Sequence, residues 1–486
     1  MEIEPHAGEA LQTPPDIPSP TAPRLSTLQR LKSLSFYQTL FCVYVAAALF
    51  IFTFMVPPFQ KADEPAHYQR SVSLTNLDFT CDKDSFGNYY FAMERTYADL
   101  PELMRYWQVW HREVDFDFNW LRTDFSRLED GEEVRVYHWC SLPAPGYLPN
   151  TLGVLAGKPF ENPLVGFYLG RAFGALFFVL AIALSLRIVP DRYRLVIYLY
   201  AALPTVLHQV SAISYDAVQL SLFPLLFAYF AKFLVEDSTI RPRHALAFMA
   251  LLWWVINVRL LAYYPILLLF FVIPRQRLGR PLSRYLLVTG GFLFVTMLTT
   301  GFLDLLYVPR AGDFEPGDYA VDASGQVRYL LDRPASFLVA SYNSLDRYGE
   351  YLVRGMIGFF GWIVDYGLNF VPYYVFTVIG GIVLFRAAEE DVPVLRPAQL
   401  LFLAGAILLT AASIFFALYV VWSPVGTDQV NGLQGRYFLG LLPFTALLFS
   451  QTAASLGKAR LVKILLLLLA IVLIFNMFRA VELRYY

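Results

Sequence analysis

Apolar residues along the chain gather in blocks of about twenty with few charges, and a helix of that length spans the roughly 30 Å hydrocarbon core of a bilayer. The first block covers residues 36–56 and ends at Pro57 and Pro58. Further blocks lie near residues 164–187, 195–212, 217–235, 244–257, 260–274, 285–307, 370–386, 398–422, 437–455 and 461–480. The pattern predicts an all-α polytopic membrane protein with about 11 transmembrane helices.

Charges in the short loops between the blocks predict the orientation, because Lys and Arg collect on the cytoplasmic side. With the N-terminus inside, most of these cations fall in cytoplasmic loops, among them Arg187, Arg194 and Arg241. The short outer loops then hold only Arg259 and Arg436. We therefore expect a multi-pass membrane protein with a cytoplasmic N-terminus and a C-terminus on the outer side.

Two polar segments on the outer side are too long to be simple connections, and the chain begins with a Pro-rich and Ser-rich stretch typical of disorder. The predicted organisation is a disordered cytoplasmic tail (1–35), a first transmembrane helix (36–56), an outer loop domain (57–163), transmembrane helices (164–307), a second outer loop with amphipathic helices (308–369), and C-terminal transmembrane helices (370–480). Tryptophans of the first outer loop, Trp107, Trp110, Trp120 and Trp139, are candidates for a small core.

Composition excludes two broad classes of protein. Hydrophobic residues make up 57% of the chain and charged residues 16%, with a mean hydropathy of +0.48, against roughly 45–50% and 25% in soluble proteins. A soluble multidomain enzyme is therefore excluded. The net charge of -1 leaves no cationic surplus for a phosphate backbone, so we expect no nucleic-acid partner.

The three cysteines fall in two different settings. Cys42 lies inside the first apolar block, whereas Cys81 and Cys140 share the first outer loop. A loop in an oxidising periplasm favours one disulfide between Cys81 and Cys140. The alternative is two unpaired thiols.

The sharpest candidate for chemistry follows the first block directly, in the stretch 57–70. Pro65 suits the first turn of a helix, so Asp63 and Glu64 lie at a predicted helix N-terminus, with His67 one turn later. Adjacent carboxylates there can serve as a general base or hold Mg or Mn. The alternative is a helix cap favoured by the macrodipole, with a solvated histidine.

Other polar groups map to the same predicted outer boundary, where ionisable groups are functional candidates. Asp216 has helix capping as its alternative role, and Arg259 and Arg436 have snorkelling to the interface as theirs. The candidate substrate-binding residues are His67, Arg70, Tyr215, Asp216, Arg259, Tyr263, Trp362, Asp365, Gln434 and Arg436.

These motifs resemble those of the GT-C superfamily of integral-membrane glycosyltransferases, which carry an acidic pair just after the first span. Asp63 and Glu64 match that pair. More narrowly, the strings at 57–67, 214–216, 361–362 and 434–437 resemble the bacterial membrane-protein family called domain of unknown function 2142, a likeness that covers nearly all of residues 36–480. The resemblance implies a GT-C-like bundle that transfers a sugar from a polyprenyl-phosphate donor to a cell-envelope glycan or lipid on the outer face. It also implies that the membrane is the bacterial inner (plasma) membrane, so that the outer side and the C-terminus are periplasmic.

The expected roles follow from the shared outer face. We expect Asp63 or Glu64 to act as general base or metal ligand, and Arg259 and Arg436 to bind the donor phosphate. His67 and Asp216 are expected to position the acceptor, while Tyr263 and Trp362 stack on sugar rings. Membrane lipids are further partners. The competing functions are a flippase or transporter of lipid-linked saccharides, and an oligosaccharide polymerase or ligase. Transporter sequences often consist of two similar halves.

Overall fold

A computed structural model of the chain describes residues 36–86, 89–123, 125, 132–137, 143–235, 240–258, 262–278, 281–307, 321–361, 395–449 and 459–486. Within these residues the α-helices are α1 (Phe36–Phe50), α2 (Glu64–Thr75), α3 (Arg95–Ala98), α4 (Leu100–Leu103), α5 (Tyr106–His111), α6 (Leu148–Gly157), α7 (Pro163–Ile188), α8 (Arg194–Ala201), α9 (Pro204–Val210), α10 (Tyr215–Val235), α11 (Pro242–Val258), α12 (Leu269–Val272), α13 (Leu282–Tyr307), α14 (Ala323–Asp332), α15 (Ala335–Gly358), α16 (Pro397–Val421), α17 (Leu442–Phe449) and α18 (Ala459–Tyr485). The strands are β1 (Asp82–Lys83), β2 (Tyr89–Glu94) and β3 (Glu133–Val136).

The protein is an all-α polytopic membrane protein, apart from that one small sheet. Five helical segments in the described ranges are long and apolar enough to cross a membrane: Gln38–Met55, Pro163–Ile188, Tyr215–Val235, Leu286–Leu303 and Pro397–Val421. The fold class predicted from the apolar blocks is thus confirmed, whereas the count of about 11 spans is not.

Two predicted spans do not form single long helices. The block at 195–212 folds as α8 and α9, because Pro204 has no N–H to continue the first helix and disfavours helical backbone at Leu203. The block at 260–274 contains a 3-10 helix at Tyr264–Leu268 followed by the four-residue α12. The predicted span at 370–386 lies outside the described residues.

The polar segment that follows the first span packs around its own small core. Strands β1, β2 and β3 form an antiparallel sheet in that order. Buried side chains of the sheet and of α2 meet in one cluster, which includes Tyr68, Phe91, Met93 and Leu100. The tryptophan core expected from the sequence is wrong for Trp107, which is 47% exposed. Trp139 lies outside the described residues.

One disulfide and one free thiol are present among the described cysteines. Cys81 is disulfide-bonded, and Cys42 is free and exposed on α1. The expected partner of Cys81, Cys140, lies outside the described residues.

Helices α6 and α7 form a tight hairpin that connects this segment to the second long apolar helix. A Cβ at Gly153 or Gly157 would overlap the backbone of α7 near Gly166 and Leu169. Small residues allow two helix backbones to approach this closely in a bilayer. The hairpin holds the start of α7 against α2, where the rings of Phe167 and Tyr68 are in contact, and α7 therefore delivers its side chains to the end of the first span.

Candidate functional site

The acidic motif begins where the first span ends. Helix α1 continues as a π-helix over Ile51–Met55, and α2 begins at Glu64 with Pro65 in its first turn, as the sequence predicts. Asp63 precedes α2 with a φ of 59°, in the left-handed region. Asp and Asn tolerate this conformation better than most residues. The neighbouring carboxylates of Asp63 and Glu64 consequently have different partners.

Glu64 forms a fully buried ion pair with Arg171 of α7. Its Oε1 accepts from Arg171 Nε at 2.8 Å and its Oε2 accepts from the same guanidinium at 2.6 Å. Both side chains have 0% exposure. The backbone N–H of Ile213 also donates to Glu64, at 3.2 Å. Glu64 is thus enclosed with both oxygens bonded to Arg171, which favours a structural role for it over the predicted role as a base.

The rest of the Arg171 guanidinium closes the end of the first span. It donates to the carbonyl oxygens of Thr53 at 3.1 Å, Val56 at 2.7 Å and Pro57 at 3.0 Å. The last carbonyls of a helix have no partner within it, and here one side chain provides the donors. An arginine has five N–H donors, and five hydrogen bonds occupy them. Arg171 and Glu64 together act as positioning residues that tie α1, α2 and α7.

Asp63 belongs to a second and looser group. The Nη2 atom of Arg436 lies 3.2 Å from Asp63 Oδ2, and its Nε lies 3.3 Å from Asp216 Oδ2. Gln209 Oε1 accepts from the same guanidinium at 3.3 Å. The structure therefore brings together Asp63, Asp216 and Arg436 from three separate parts of the sequence.

The two groups differ in distance and in access. Charge-assisted N–H···O bonds are usually about 2.7–2.9 Å long, which matches Arg171 with Glu64 but not Arg436 with its two carboxylates. Asp63 has a side-chain exposure of 35%, against 6% for Asp216 and 3% for Arg436. Catalytic contacts are often long before substrate binds. Asp63 is therefore the carboxylate of this group that a substrate can reach.

Arg436 is held in place by close backbone packing. It lies in a 3-10 helix, Gly435–Leu441, that packs on α15. A Cβ on Gly435 would overlap the carbonyl of Leu352 on that helix. The hydroxyl of Tyr263 donates to the carbonyl of Tyr437 at 2.7 Å. Tyr263 is 1% exposed, so it braces the Arg436 segment, and its ring is not placed to stack on a sugar.

His67 lies in an aromatic cluster beside the acidic motif. Its Nδ1 is 2.6 Å from the hydroxyl of Tyr147, and its ring packs edge-on against Tyr215. His67 is 1% exposed, so it is not the solvated histidine of the helix-cap alternative. Burial, followed by the proximity of Tyr215, raises the pKa of Tyr147 well above its usual value. Tyr147 therefore stays protonated at neutral pH.

Lys61 adds a buried amine to the segment that links the first span to α2. Its Nζ donates to the carbonyl and the hydroxyl of Ser211, at 2.5 and 2.8 Å. Burial, followed by the charge of Arg171, lowers the pKa of Lys61 well below its usual value. The amine links the acidic motif to the turn between α9 and α10.

Of the other predicted site residues, the structure describes two, Arg70 and Gln434. Arg70 is fully buried and donates to the carbonyls of Asp78 and Phe79, so it stabilises the loop after α2. Gln434 directly precedes the Arg436 helix and is its N-terminal cap residue. Arg259, Trp362 and Asp365 lie outside the described residues.

The donor set does not fit the Mg or Mn site that the sequence suggests. Both oxygens of Glu64 bind Arg171, and Asp63 lies against Arg436. Among the residues that the structure places, no three His, Cys, Asp or Glu side chains are close enough to hold a metal ion. Calcium and magnesium sites need several oxygen ligands.

Sequence reasoning did not identify Arg171, Lys61, Gln209 or Tyr147. Arg171 could have been found from the sequence, because an arginine inside an apolar block is a functional candidate and is usually paired with another polar group. Lys61 is within the acidic motif itself. Gln209 and Tyr147 carry no such signal, since only the fold brings them to Arg436 and His67.

The sequence profile of a family described as "Predicted membrane protein (DUF2142)" matches residues 47–445. The chain belongs to this family. No curated protein matches the chain, and no solved structure does. The match covers every residue of the Asp63, Asp216 and Arg436 group and also Glu64 and Arg171.

Proposed function

We propose that this DUF2142 protein is a membrane glycosyltransferase of the GT-C type. It moves a sugar from a polyprenyl-phosphate donor to an envelope glycan or lipid on the outer face of the bacterial inner membrane. The observation that carries the proposal is the partly exposed carboxylate of Asp63, held 3.2 Å from the nearly buried guanidinium of Arg436 at the end of the first span.

The chemistry needs a base and an anion-binding cation in one place. Asp63 accepts the proton of the acceptor hydroxyl while that oxygen bonds to the anomeric carbon of the donor sugar. The bond between the anomeric carbon and the phosphate oxygen breaks, and the electron pair leaves on the polyprenyl phosphate. Arg436 donates N–H groups to that phosphate. The products are the glycosylated acceptor, polyprenyl phosphate and a proton on Asp63.

The loose contacts of Arg436 support this division of work. An arginine shared by two carboxylates at 3.2 and 3.3 Å is able to exchange one of them for a phosphate oxygen. Asp216, which is nearly buried, remains as the counter-ion. Glu64 and Arg171 hold the backbone of the motif and take no part in the bond changes.

The test is turnover of radiolabelled polyprenyl-phosphate sugars by the full chain in lipid, with envelope extract as the acceptor source. Asp63→Asn keeps the side-chain shape and tolerates the left-handed backbone, so it removes the base, and with it the negative charge opposite Arg436, without moving the backbone. We expect a loss of roughly 10²- to 10⁴-fold, the usual contribution of a general base. Asp99→Asn is the matched control, because Asp99 is an exposed acid of the same outer segment.

Two further arms separate the alternatives. Movement of lipid-linked sugar across sealed vesicles without consumption of the donor identifies a flippase and contradicts the proposal. Since the donor set does not fit a metal ion, we expect turnover to survive EDTA. A loss that Mg or Mn restores supports the metal hypothesis instead.

A further inference from the structure

A groove opens between α1 and α7, at the far end of both helices from the Asp63 group. It encloses about 530 Å³, within the usual range of roughly 300–1,000 Å³ for small-molecule sites. Its walls are apolar and include Phe41, Val45 and Leu49 of α1 and Phe178 and Ile182 of α7. The walls alone favour a hydrocarbon chain over water.

The position of the groove along α7 places it at the opposite membrane boundary from the acidic motif. Arg171 is the residue of α7 that contacts the acidic motif, and Arg187 lies one residue from the C-terminal end of the helix. The two are roughly 24 Å apart along the helix axis. That distance approaches the roughly 30 Å thickness of the hydrocarbon core.

Two arginines stand at the mouth of this apolar groove. Arg187 is exposed, and Arg194 begins α8. An exposed ion pair links Arg194 to Asp191 at 2.9 Å, a type of pair that stabilises little. The Nε of Arg194 is nevertheless buried without a hydrogen-bond acceptor. A buried donor of this kind is costly unless a ligand accepts from it.

We propose that this groove binds an anionic phospholipid of the membrane. One acyl chain lies along Phe41, Val45 and Ile182, and the phosphate accepts from Arg187 and Arg194. Guanidinium groups recognise phosphate oxygens through parallel N–H donors. Apolar walls alone bind any lipid, whereas two cations at the mouth select a net negative headgroup. The site is independent of the proposed transferase function.

The experiment measures lipid retention by the full chain in bilayer discs that contain phosphatidylcholine and phosphatidylglycerol. After extraction into detergent, native mass spectrometry counts the phospholipids that stay bound. Each arginine near an anionic headgroup contributes about 1 kcal/mol, so the double variant Arg187→Ala/Arg194→Ala should bind phosphatidylglycerol about thirtyfold less. The control Arg241→Ala/Arg243→Ala removes two exposed cations outside the groove and should retain the lipid.

A steric variant tests the apolar part of the site separately. Ala46 is an exposed groove residue, and Ala46→Trp fills the space without touching the arginines. We expect it to lose phosphatidylglycerol as well. Equal retention of both phospholipids by the wild type, or retained phosphatidylglycerol in the double variant, overturns the proposal. Displacement of phosphatidylglycerol by added polyprenyl phosphate assigns the groove to the lipid carrier and overturns it too.

Discussion

At the scale of single residues, the two adjacent acids of the motif separate into different tasks. Glu64 is buried with both oxygens on Arg171, whereas Asp63 is partly exposed. Removing one partner of a buried ion pair leaves an uncompensated charge, at a cost of about 3–5 kcal/mol. We therefore expect Glu64→Gln to destabilise the protein by about that amount, measured by thermal unfolding in detergent, while Asp63→Asn changes stability little.

A double-mutant cycle makes the Glu64 prediction specific. With Arg171→Met present, no buried cation is left unpaired, so Glu64→Gln should cost much less. If Glu64→Gln costs the same with and without Arg171→Met, the two losses of stability are additive and the pairing is contradicted. Full stability of Glu64→Gln alone does so as well.

Lys61 predicts a pH dependence at the same scale. Burial lowers its folded-state pKa, so the unfolded chain binds a proton on Lys61 in a pH range where the folded chain does not. Stability therefore rises with pH from the folded pKa up to about 10.4, the ordinary value. Lys61→Met removes this rise, because methionine does not titrate.

The measurement for Lys61 is the unfolding temperature of the wild type and Lys61→Met from neutral pH to about pH 10. The loss of the contacts to Ser211 shifts the unfolding temperature of the variant by the same amount at every pH, whereas the titration of Lys61 changes the slope of unfolding temperature against pH. If the two proteins give parallel curves, the pKa of Lys61 is not lowered in the folded state.

At the scale of elements, the contact between α15 and the Gly435–Leu441 helix sets the position of Arg436. A side chain at Gly435 would overlap Leu352 and the backbone at Met356. Overpacking of this kind costs about 1–3 kcal/mol, and here it also displaces Arg436 from Asp63. We expect Gly435→Ala to lower donor turnover far more than it lowers the unfolding temperature.

Gly349→Ala is the control for that element. Gly349 lies on the same helix, α15, and a Cβ there has nothing within 4 Å. The substitution should leave turnover unchanged. If both glycine variants behave alike, helix propensity explains the effect and the close approach does not.

At the scale of the whole molecule, the end of α18 joins the bundle to the polar segment that follows the first span. Arg484 donates to the carbonyls of Val109, at 3.3 Å, and Trp110. The N–H of Phe116 donates to the carbonyl of Tyr485 at 2.9 Å. Hydrogen bonds to charged groups contribute about 1.5–3 kcal/mol. We therefore expect Arg484→Ala to speed amide exchange around residues 106–116 without unfolding the bundle.

Arg479→Ala provides the comparison for Arg484→Ala. Arg479 lies on the same helix in an exposed pair with Glu482, and such pairs contribute little. Hydrogen exchange with mass spectrometry should show no change for it. If Arg484→Ala speeds amide exchange equally around residues 106–116 and in the bundle, Arg484 does not act locally on residues 106–116.

The sequence was sufficient for features that depend on local pattern. Blocks of about twenty apolar residues predicted a multi-pass helical protein. Hydrocarbon offers no hydrogen-bond partners, and an α-helix pairs its backbone N–H and C=O groups within the segment itself. Pro65 placed the start of α2 close to where it lies, because proline fits only the first turn. The same local reasoning missed the break before Pro204, where the apolar run continues across two short helices.

Only the tertiary structure decided the roles of the site residues. Asp63 and Glu64 are neighbours with the same chemistry, and no local signal tells which one meets Arg171 and which meets Arg436. Arg436 lies 373 positions after Asp63, so their contact depends on how α2, α10 and the Gly435–Leu441 helix pack. A residue's type and local pattern determine what chemistry it can offer and which element it starts or ends. Burial and partners determine which chemistry it uses, and these are properties of the packed bundle.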